Sequence, residues 1–404
     1  MIRIKKENLI FLLIAALLFG VFFSGAVLFT WEKITDQRFI SIEEYEKCKQ
    51  TEKRYSKLAM LEDLIETSYY TDVDRDALYE GMYKGLFAGL QDPYSYYMNA
   101  EEYEDLKIST SGEFFGVGLT LSVGEDGMIQ VMASMKESPA EQAGIQAGDR
   151  IVKVDGVTYA GTQLDEAVQN MRGTEGTSVT LTVLRGNTEM EYTLVRKKIL
   201  VPSVKSELLD NHIAYIQITS FESHTADDFK EALRKMEQSG ARGVIVDLRG
   251  NPGGLVDSAV EIADMLLPAG VAAYTQDRQG NKEYYRTKDG MTSLPYVLLI
   301  DGSSASASEI LAAAVQDNQG GPLVGETSYG KGIIQSIMPL EDGSGGAVKM
   351  TVLQYFSAKG NIIHKTGIPP DCKVTLSEDA YDADGHLLRE KDTQLQKAIE
   401  LLKK

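Results

Sequence analysis

The chain has 404 residues, with 59 acidic and 41 basic side chains and a formal net charge of -18. Its length calls for two or three domains, and its balance of apolar and charged residues is that of a folded globular protein. No Lys/Arg-rich stripe offsets the acidity, which sets nucleic-acid binding aside. The two cysteines, Cys48 and Cys372, come without a CxxC or Cys/His cluster, which speaks against a structural zinc site and leaves two unpaired thiols as the expectation.

Taken in chain order, the first feature is an uncharged stretch over residues 8–31, preceded by Arg3, Lys5 and Lys6. Its apolar part, residues 9–31, is 23 residues long, enough to cross a bilayer as a helix. The basic residues before it place the N-terminus, residues 1–7, in the cytoplasm. The competing reading is a cleaved signal peptide, with Ser24-Gly25-Ala26 as the cut site. The apolar run is longer than a usual signal h-region and continues past those residues, so the expectation is an uncleaved single-pass anchor in the cell membrane. Either way, the remainder lies outside the cytoplasm.

Residues 32–105 read as a polar helical segment. Ile42, Tyr45, Leu58, Leu61, Leu64 and Ile65 recur at helical spacings, and a second helix over residues 77–90 stops before Asp92-Pro93. A helical spacer and a dimerisation arm fit this pattern equally. Residues 106–200 form a compact β-rich module. Its strand-like runs lie at 115–122, 128–132, 150–154, 178–184 and 191–196, and Gly144 and Gly148 permit tight turns around one helical turn. Residues 201–404 alternate strands with helices. Strands are expected at 213–221, 243–248 and 296–300. Helices are expected from a Thr225 cap to Gly240, through Val256, Val260 and Leu266, and over 309–315. Such βα units place ligand sites at the C-terminal ends of their strands.

Three of those ends carry candidate chemistry. Ser303-Ser304-Ala305-Ser306-Ala307-Ser308-Glu309 joins a buried strand to an Ala-rich helix, where first-turn N–H groups are free to face an oxyanion. Ser306 with Glu309 also fits a plain capping box. A nucleophilic serine needs a base. None of the four histidines, His212, His224, His364 and His386, sits in a turn at a strand end beside an evident acidic partner. Lys331, in Gly330-Lys331-Gly332, serves if burial lowers its pKa; the bland reading is a surface lysine. Even spacing in a strand puts Lys331 and Gln335 on one face, where the Gln335 amide oxygen accepts a hydrogen bond from the amine. Ser328-x-x-Lys331 resembles the acyl-enzyme motif of β-lactamases but needs a helix, which the flanking glycines oppose. Arg249-Gly250-Asn251-Pro252-Gly253-Gly254 lacks a phosphate-loop pattern; it is either an oxyanion donor or a plain strand-to-helix turn.

Ser304-Ala305-Ser306-Ala307-Ser308-Glu309-Ile310, followed by Gly330-Lys331-Gly332 and Gln335, resembles the C-terminal processing peptidases, or tail-specific proteases. Asp247-Leu248-Arg249-Gly250-Asn251-Pro252-Gly253-Gly254, Asp92-Pro93-Tyr94-Ser95 and Gly367-Ile368-Pro369-Pro370-Asp371 resemble further segments of that family in the same order. The one departure is Ser357-Ala358-Lys359-Gly360, where the family often has Pro-Ser-Gly. The resemblance implies a multidomain α/β (α+β) fold: a membrane helix, a helical arm, a PDZ domain at 106–200 and a protease core of crotonase-like type at 201–404. It implies Ser306 as nucleophile, Lys331 as base, Gln335 as its orienting partner, and Ala307 with Gly253 or Gly254 as oxyanion donors, with no metal or cofactor. Phe115-Gly116-Val117-Gly118-Leu119 resembles the PDZ loop that grips a C-terminal carboxylate.

The implied substrates are proteins or peptides with apolar C-terminal tails. Arg172 is a candidate reporter of PDZ occupancy. A homodimer through the N-terminal arm and the helical residues 394–402 is a further expectation. The competing class is an inert PDZ scaffold that binds C-terminal peptides at the membrane.

Overall fold

The computed structural model describes residues 6–35, 40–382 and 387–403, so Arg3, Lys5 and His386 lie outside it. The chain divides into two units, Met1–Tyr79 and Glu80–Lys404. In the first, one helix runs over Lys6–Thr35 without a break at Ser24-Gly25-Ala26, and the Ser24 hydroxyl donates to the Val21 carbonyl (2.9 Å). Among the described residues, this is the one helix long and apolar enough to cross a membrane, through its window Ile10–Val27. A second helix, Ile42–Ser68, starts at a capping box. Ser41 Oγ accepts from Glu44 N (3.1 Å) and Glu44 Oε2 accepts from Ser41 N (2.9 Å). None of its residues is buried, so Tyr45, Leu58, Leu61, Leu64 and Ile65 stand exposed.

The second unit opens with the end of the helix Arg75–Ala88, the strand Tyr96–Met98 and the helix Ala100–Ser111. It then enters the β-rich module. Its antiparallel sheet runs in the order Leu119–Val123, Ile129–Ser134, Arg150–Val154, Ser178–Arg185 and Thr188–Val195. Ile129 and Val131, and Leu181 and Val183, are spaced by two and point to one core. The strand expected over 115–122 is instead two strands, Glu113–Gly116 and Leu119–Val123. The chain turns at Gly118, which has φ +76° and lies so close to Ser138 that an added Cβ would sit 2.3 Å from the Ser138 Cβ. Glu113–Gly116 pairs with Lys197–Leu200, which ties the entry of the module to its exit.

The remaining chain builds two sheets. The first is parallel except for its leading strand. Its order is Val204–Leu208, Ile213–Ile218, Gly243–Asp247, Tyr296–Ile300, Leu323–Gly325 and Cys372–Lys373. Strands of a covered parallel sheet are apolar on both faces. Val244, Val246, Leu298 and Ile300 pack under the helices Thr225–Gln238, Val256–Leu266 and Ala307–Asp317, while Ile245, Val297 and Leu299 pack with Leu395 and Ala398 of the helix Thr393–Leu402. Each such fully buried aliphatic side chain contributes roughly 1.5–3 kcal/mol. The second sheet is antiparallel, with Ala347–Ser357 as its longest strand, flanked by Tyr96–Met98, Gly270–Gln276 and Ile333–Pro339.

Two local expectations change. Thr225 is the first residue of its helix rather than the cap, and its hydroxyl accepts from Glu222 N (2.8 Å). The helical residues 394–402 do not offer a free apolar face, because Leu395 and Ala398 are spent on the chain's own sheet. Cys48 and Cys372 are both free thiols.

Candidate active site

The site forms where the parallel strands end. After Tyr296–Ile300, Asp301 Oδ1 accepts from Ser303 N and Ser304 N (both 3.0 Å) and from Gly250 N (3.1 Å), joining the serine turn to the glycine loop. Asn251, fully buried, adds a second tie. Its carbonyl accepts from Ala305 N and from Ser308 Oγ (both 3.0 Å), and its amide donates to the Ile218 carbonyl (2.9 Å).

These contacts separate Ser304, Ser306 and Ser308. Ser304 Oγ donates to the Leu248 carbonyl (2.8 Å), and Ser308 Oγ is held by Asn251. Among the described hydrogen bonds none involves Ser306 Oγ, since Glu309 N donates to the Ser306 carbonyl (2.9 Å) instead, and Ser306 lines a cavity of about 470 Å³. The Glu309 half of the capping box does form, since Glu309 Oε2 accepts from Ser306 N (2.9 Å). Ser306 stands at φ 55°, ψ -114°, a conformation that costs about 1–3 kcal/mol in a non-glycine residue and so marks a turn held by its surroundings.

Lys331 lines the same cavity and is half-buried, with its amine 4.6 Å from the centre of the Tyr94 ring. Burial first, then the charge of Lys349, lowers the Lys331 pKa from the ordinary lysine value; Asp92 and Glu309 act in the opposite sense. The Asp92-Pro93-Tyr94-Ser95 segment is thereby part of the site. Asp92 accepts from Tyr94 N (3.0 Å) and Ser95 Oγ (2.6 Å), and Ser95 Oγ accepts from Thr351 N (2.9 Å), which fixes the Tyr94 ring under the amine.

Gln335 also lines the cavity, but the expected strand alternation does not bring it there. The strand begins at Ile333, after Lys331, and its register is interrupted between Ile334 and Gln335. The Gln335 amide donates to Thr351 Oγ1 (3.2 Å), and among the described hydrogen bonds none joins it to Lys331.

On the oxyanion side, a Cβ on Gly253 would lie 2.7 Å from the Ser306 Cβ and 2.9 Å from Ala307 N, and its φ is +103°, so no other residue fits there. The Gly253 N–H donates to Asn251 Oδ1 (2.8 Å); among the described residues those of Gly254 and Ala307 have no partner. The Ser328-x-x-Lys331 alternative loses its nucleophile. Ser328 Oγ donates to Glu309 Oε1 (2.6 Å) and accepts from Ile368 N (2.7 Å).

Among the histidines, His224 does have acidic neighbours, Glu222 at 3.6 Å and Asp228 at 3.5 Å, but the cavity wall includes Glu222 and not His224. No group of metal-ligating residues occurs among the described residues.

The model of peptidase family S41 matches residues 212–374, a PDZ-domain model matches 130–185, and the model of the activating protease CtpB N-terminal domain matches 17–102. The carboxy-terminal processing protease CtpA of Bacillus subtilis is 38% identical over 82% of this chain and 72% of its own. The carboxyl-terminal-processing protease of Synechocystis is 39% identical over 78% of this chain and 75% of its own. The chain belongs to peptidase family S41. It is a serine peptidase with a PDZ domain, which sets aside the reading as an inert scaffold. Among solved structures, the photosystem II D1 C-terminal processing protease is similar over 81% of this chain and 89% of its own, at 28% identity and a TM-score of 0.47.

In this peptidase the PDZ groove lies between Leu119–Val123 and the helix Leu164–Met171, with Val117, Leu119, Leu121, Val168 and Met171 on its walls. Gly116, Val117 and Gly118 line it, and the Val117 and Gly118 N–H groups have no partner among the described residues. Phe115 does not line it; paired with Lys198, it faces a neighbouring cavity instead. That cavity shares Phe114 and Arg172 with the groove, and Leu255 and Ile337 with the Ser306 cavity. Arg172 donates to Asp105 Oδ1 (3.0 Å) and stacks 5.5 Å from the Phe114 ring centre, while its buried Nε has no partner among the described residues.

Sequence reasoning did not find that Glu309, Tyr94 and Lys349 meet at the site. Glu309 carried a signal, its capping-box spacing, but nothing local reports that a segment 22 residues away closes on the same carboxylate.

Proposed function

We propose that this chain is a membrane-tethered endopeptidase that cuts extracytoplasmic proteins near apolar C-terminal tails, with Ser306 as nucleophile and Lys331 as general base. The observation that carries the reading is the Ser306 hydroxyl, which unlike those of Ser304 and Ser308 has no hydrogen-bond partner among the described residues and lines a cavity that also holds a half-buried lysine.

In the proposed reaction the neutral Lys331 amine takes the Ser306 proton as Oγ bonds to the scissile carbonyl carbon. The oxyanion is met by the Ala307 N–H and an N–H of the Gly253-Gly254 pair; Gly253 must first release Asn251 to serve. The C–N bond then breaks, and the Lys331 ammonium gives its proton to the leaving amine. Lys331 then takes a proton from water as the water oxygen bonds to the acyl carbon; the ester C–O bond breaks, and the Lys331 ammonium returns the proton to Ser306 Oγ. Gln335, held by its bond to Thr351, lines the same cavity wall as Lys331.

Substrate tails enter the PDZ groove, where the free Val117 and Gly118 N–H groups suit a terminal carboxylate. Arg172, shared by the groove and the next cavity, is the proposed reporter of occupancy. The helix Lys6–Thr35 is the proposed anchor and the exposed helix Ile42–Ser68 the proposed dimerisation arm. The domain limits follow the same reading: anchor 8–31, helical segment 32–105, PDZ domain 106–200 and protease domain 201–404.

Ser306→Ala and Lys331→Ala are each expected to abolish cleavage of an unfolded protein with an apolar C-terminus while circular dichroism stays that of the folded chain. A fluorophosphonate is expected to label Ser306. Wild-type turnover by Ser306→Ala would rule the dyad out.

A further inference from the structure

We propose that Glu309 is a positioning residue that sets the spacing between nucleophile and base by accepting a backbone N–H from each, an inference that rests on the Ser306–Lys331 reading. The helix Ala307–Asp317 is buried from Ala307 to Val315, and its buried stretch is otherwise almost entirely Ala, Ile, Leu and Val. A carboxylate at 0% exposure in such a helix is costly unless donors surround it.

Five donors do. Oε2 accepts from Ser306 N (2.9 Å) and from Lys331 N (2.8 Å), so one oxygen joins the backbones of the two reacting residues. Oε1 accepts from Gly330 N (2.7 Å) and Ser328 Oγ (2.6 Å). The Tyr355 hydroxyl, also at 0% exposure, lies 3.4 Å from Oε2 and within hydrogen-bond distance of the Lys331 carbonyl (2.7 Å) and the Ser306 carbonyl (3.1 Å).

A helix cap needs only the first of these contacts. The others come from a different segment and serve no helix. They make the Ser306 turn and the Gly330-Lys331 turn one rigid piece, and a displacement of about 1 Å between reacting groups is enough to cost on the order of 100-fold in rate. The charged and titratable groups that act on the Lys331 amine are Lys349, Asp92 and Glu309, with the Tyr94 ring beneath it.

The test compares Glu309→Gln and Glu309→Asp in the full chain. Glutamine keeps the shape, but in either orientation its NH2 meets backbone N–H donors, from Gly330 on one side or from Ser306 and Lys331 on the other. For Glu309→Gln the expected results are a kcat lower by roughly 10- to 100-fold with KM within about twofold, slower fluorophosphonate labelling, and a pH–activity limb moved to lower pH, since a negative charge that favours the Lys331 ammonium is gone. Aspartate keeps the charge but falls short of the donors, so kcat is expected to fall with the limb in place. Wild-type kcat in folded Glu309→Gln, or a fall with an unmoved limb, overturns the proposal. If Glu309→Gln does not fold, wild-type kcat in Glu309→Asp overturns it. Turnover by Ser306→Ala or Lys331→Ala would instead show that the dyad reading had failed.

Discussion

Ser304, Ser306 and Ser308 carry the same hydroxyl at spacings of two, and they differ in what that hydroxyl already touches. Two donate to main-chain carbonyls, while Ser306 Oγ has no hydrogen-bond partner among the described residues and is the one proposed as nucleophile. Lys331 differs from a surface lysine in the same way, through burial and Lys349. A base works unprotonated, so kcat is expected to rise with pH through a Lys331 pKa that lies below the ordinary lysine value. Lys349→Met removes a repelling charge and is expected to raise that pKa and move the limb to higher pH. A profile flat from mildly acidic to strongly alkaline pH would show that lysine is not the base. At this scale the sequence marked Ser306 and Lys331 by their turns and by family likeness. It did not show the Gln335–Thr351 bond or the closure on Glu309, because both depend on partners supplied by distant strands.

At the scale of elements, strand and helix positions were legible wherever a run was apolar and bounded, as at Gly243–Asp247 and Tyr296–Ile300. They were less legible where a single glycine turns the chain, as at Gly118, or where a bulge resets the face of a strand, as at Gln335. The docking of the helix Thr393–Leu402 rests on a feature that no periodicity reveals. The Arg249 guanidinium, 10% exposed, pairs with Asp247 (2.6 Å) and Asp392 (2.9 Å) and donates to Gln394 (2.9 Å), while Asp392 Oδ1 caps Leu395 N (2.9 Å). Arg249→Met keeps much of the stem but strands two buried carboxylates. The expected loss is about 3–5 kcal/mol, read as a lower urea midpoint. A change below about 1 kcal/mol would show that the cluster is dispensable for stability.

For the whole molecule, the first apolar run raises the expectation of a tether, and family likeness gives the expected order of domains. The helix Lys6–Thr35 is expected to hold the full chain in the membrane fraction through high-salt and carbonate washes, with detergent releasing it; a form lacking residues 1–35 is expected in the supernatant. Release of the full chain by carbonate alone would mean that the helix does not span the bilayer.

The three adjoining hollows, from PDZ groove to Ser306, have one further consequence, and it concerns timing. If a substrate tail lies along them as an extended strand, as in the proposed function, it must come loose from its own domain before it is cut. When that loosening is fast and reversible, the rate of cleavage follows the fraction of time the tail spends free. Two substrates with the same final residues would then differ about tenfold in turnover for each ~1.4 kcal/mol by which their tails differ in local stability. On this view, how firmly a protein holds its own end matters as much as which residues the end contains.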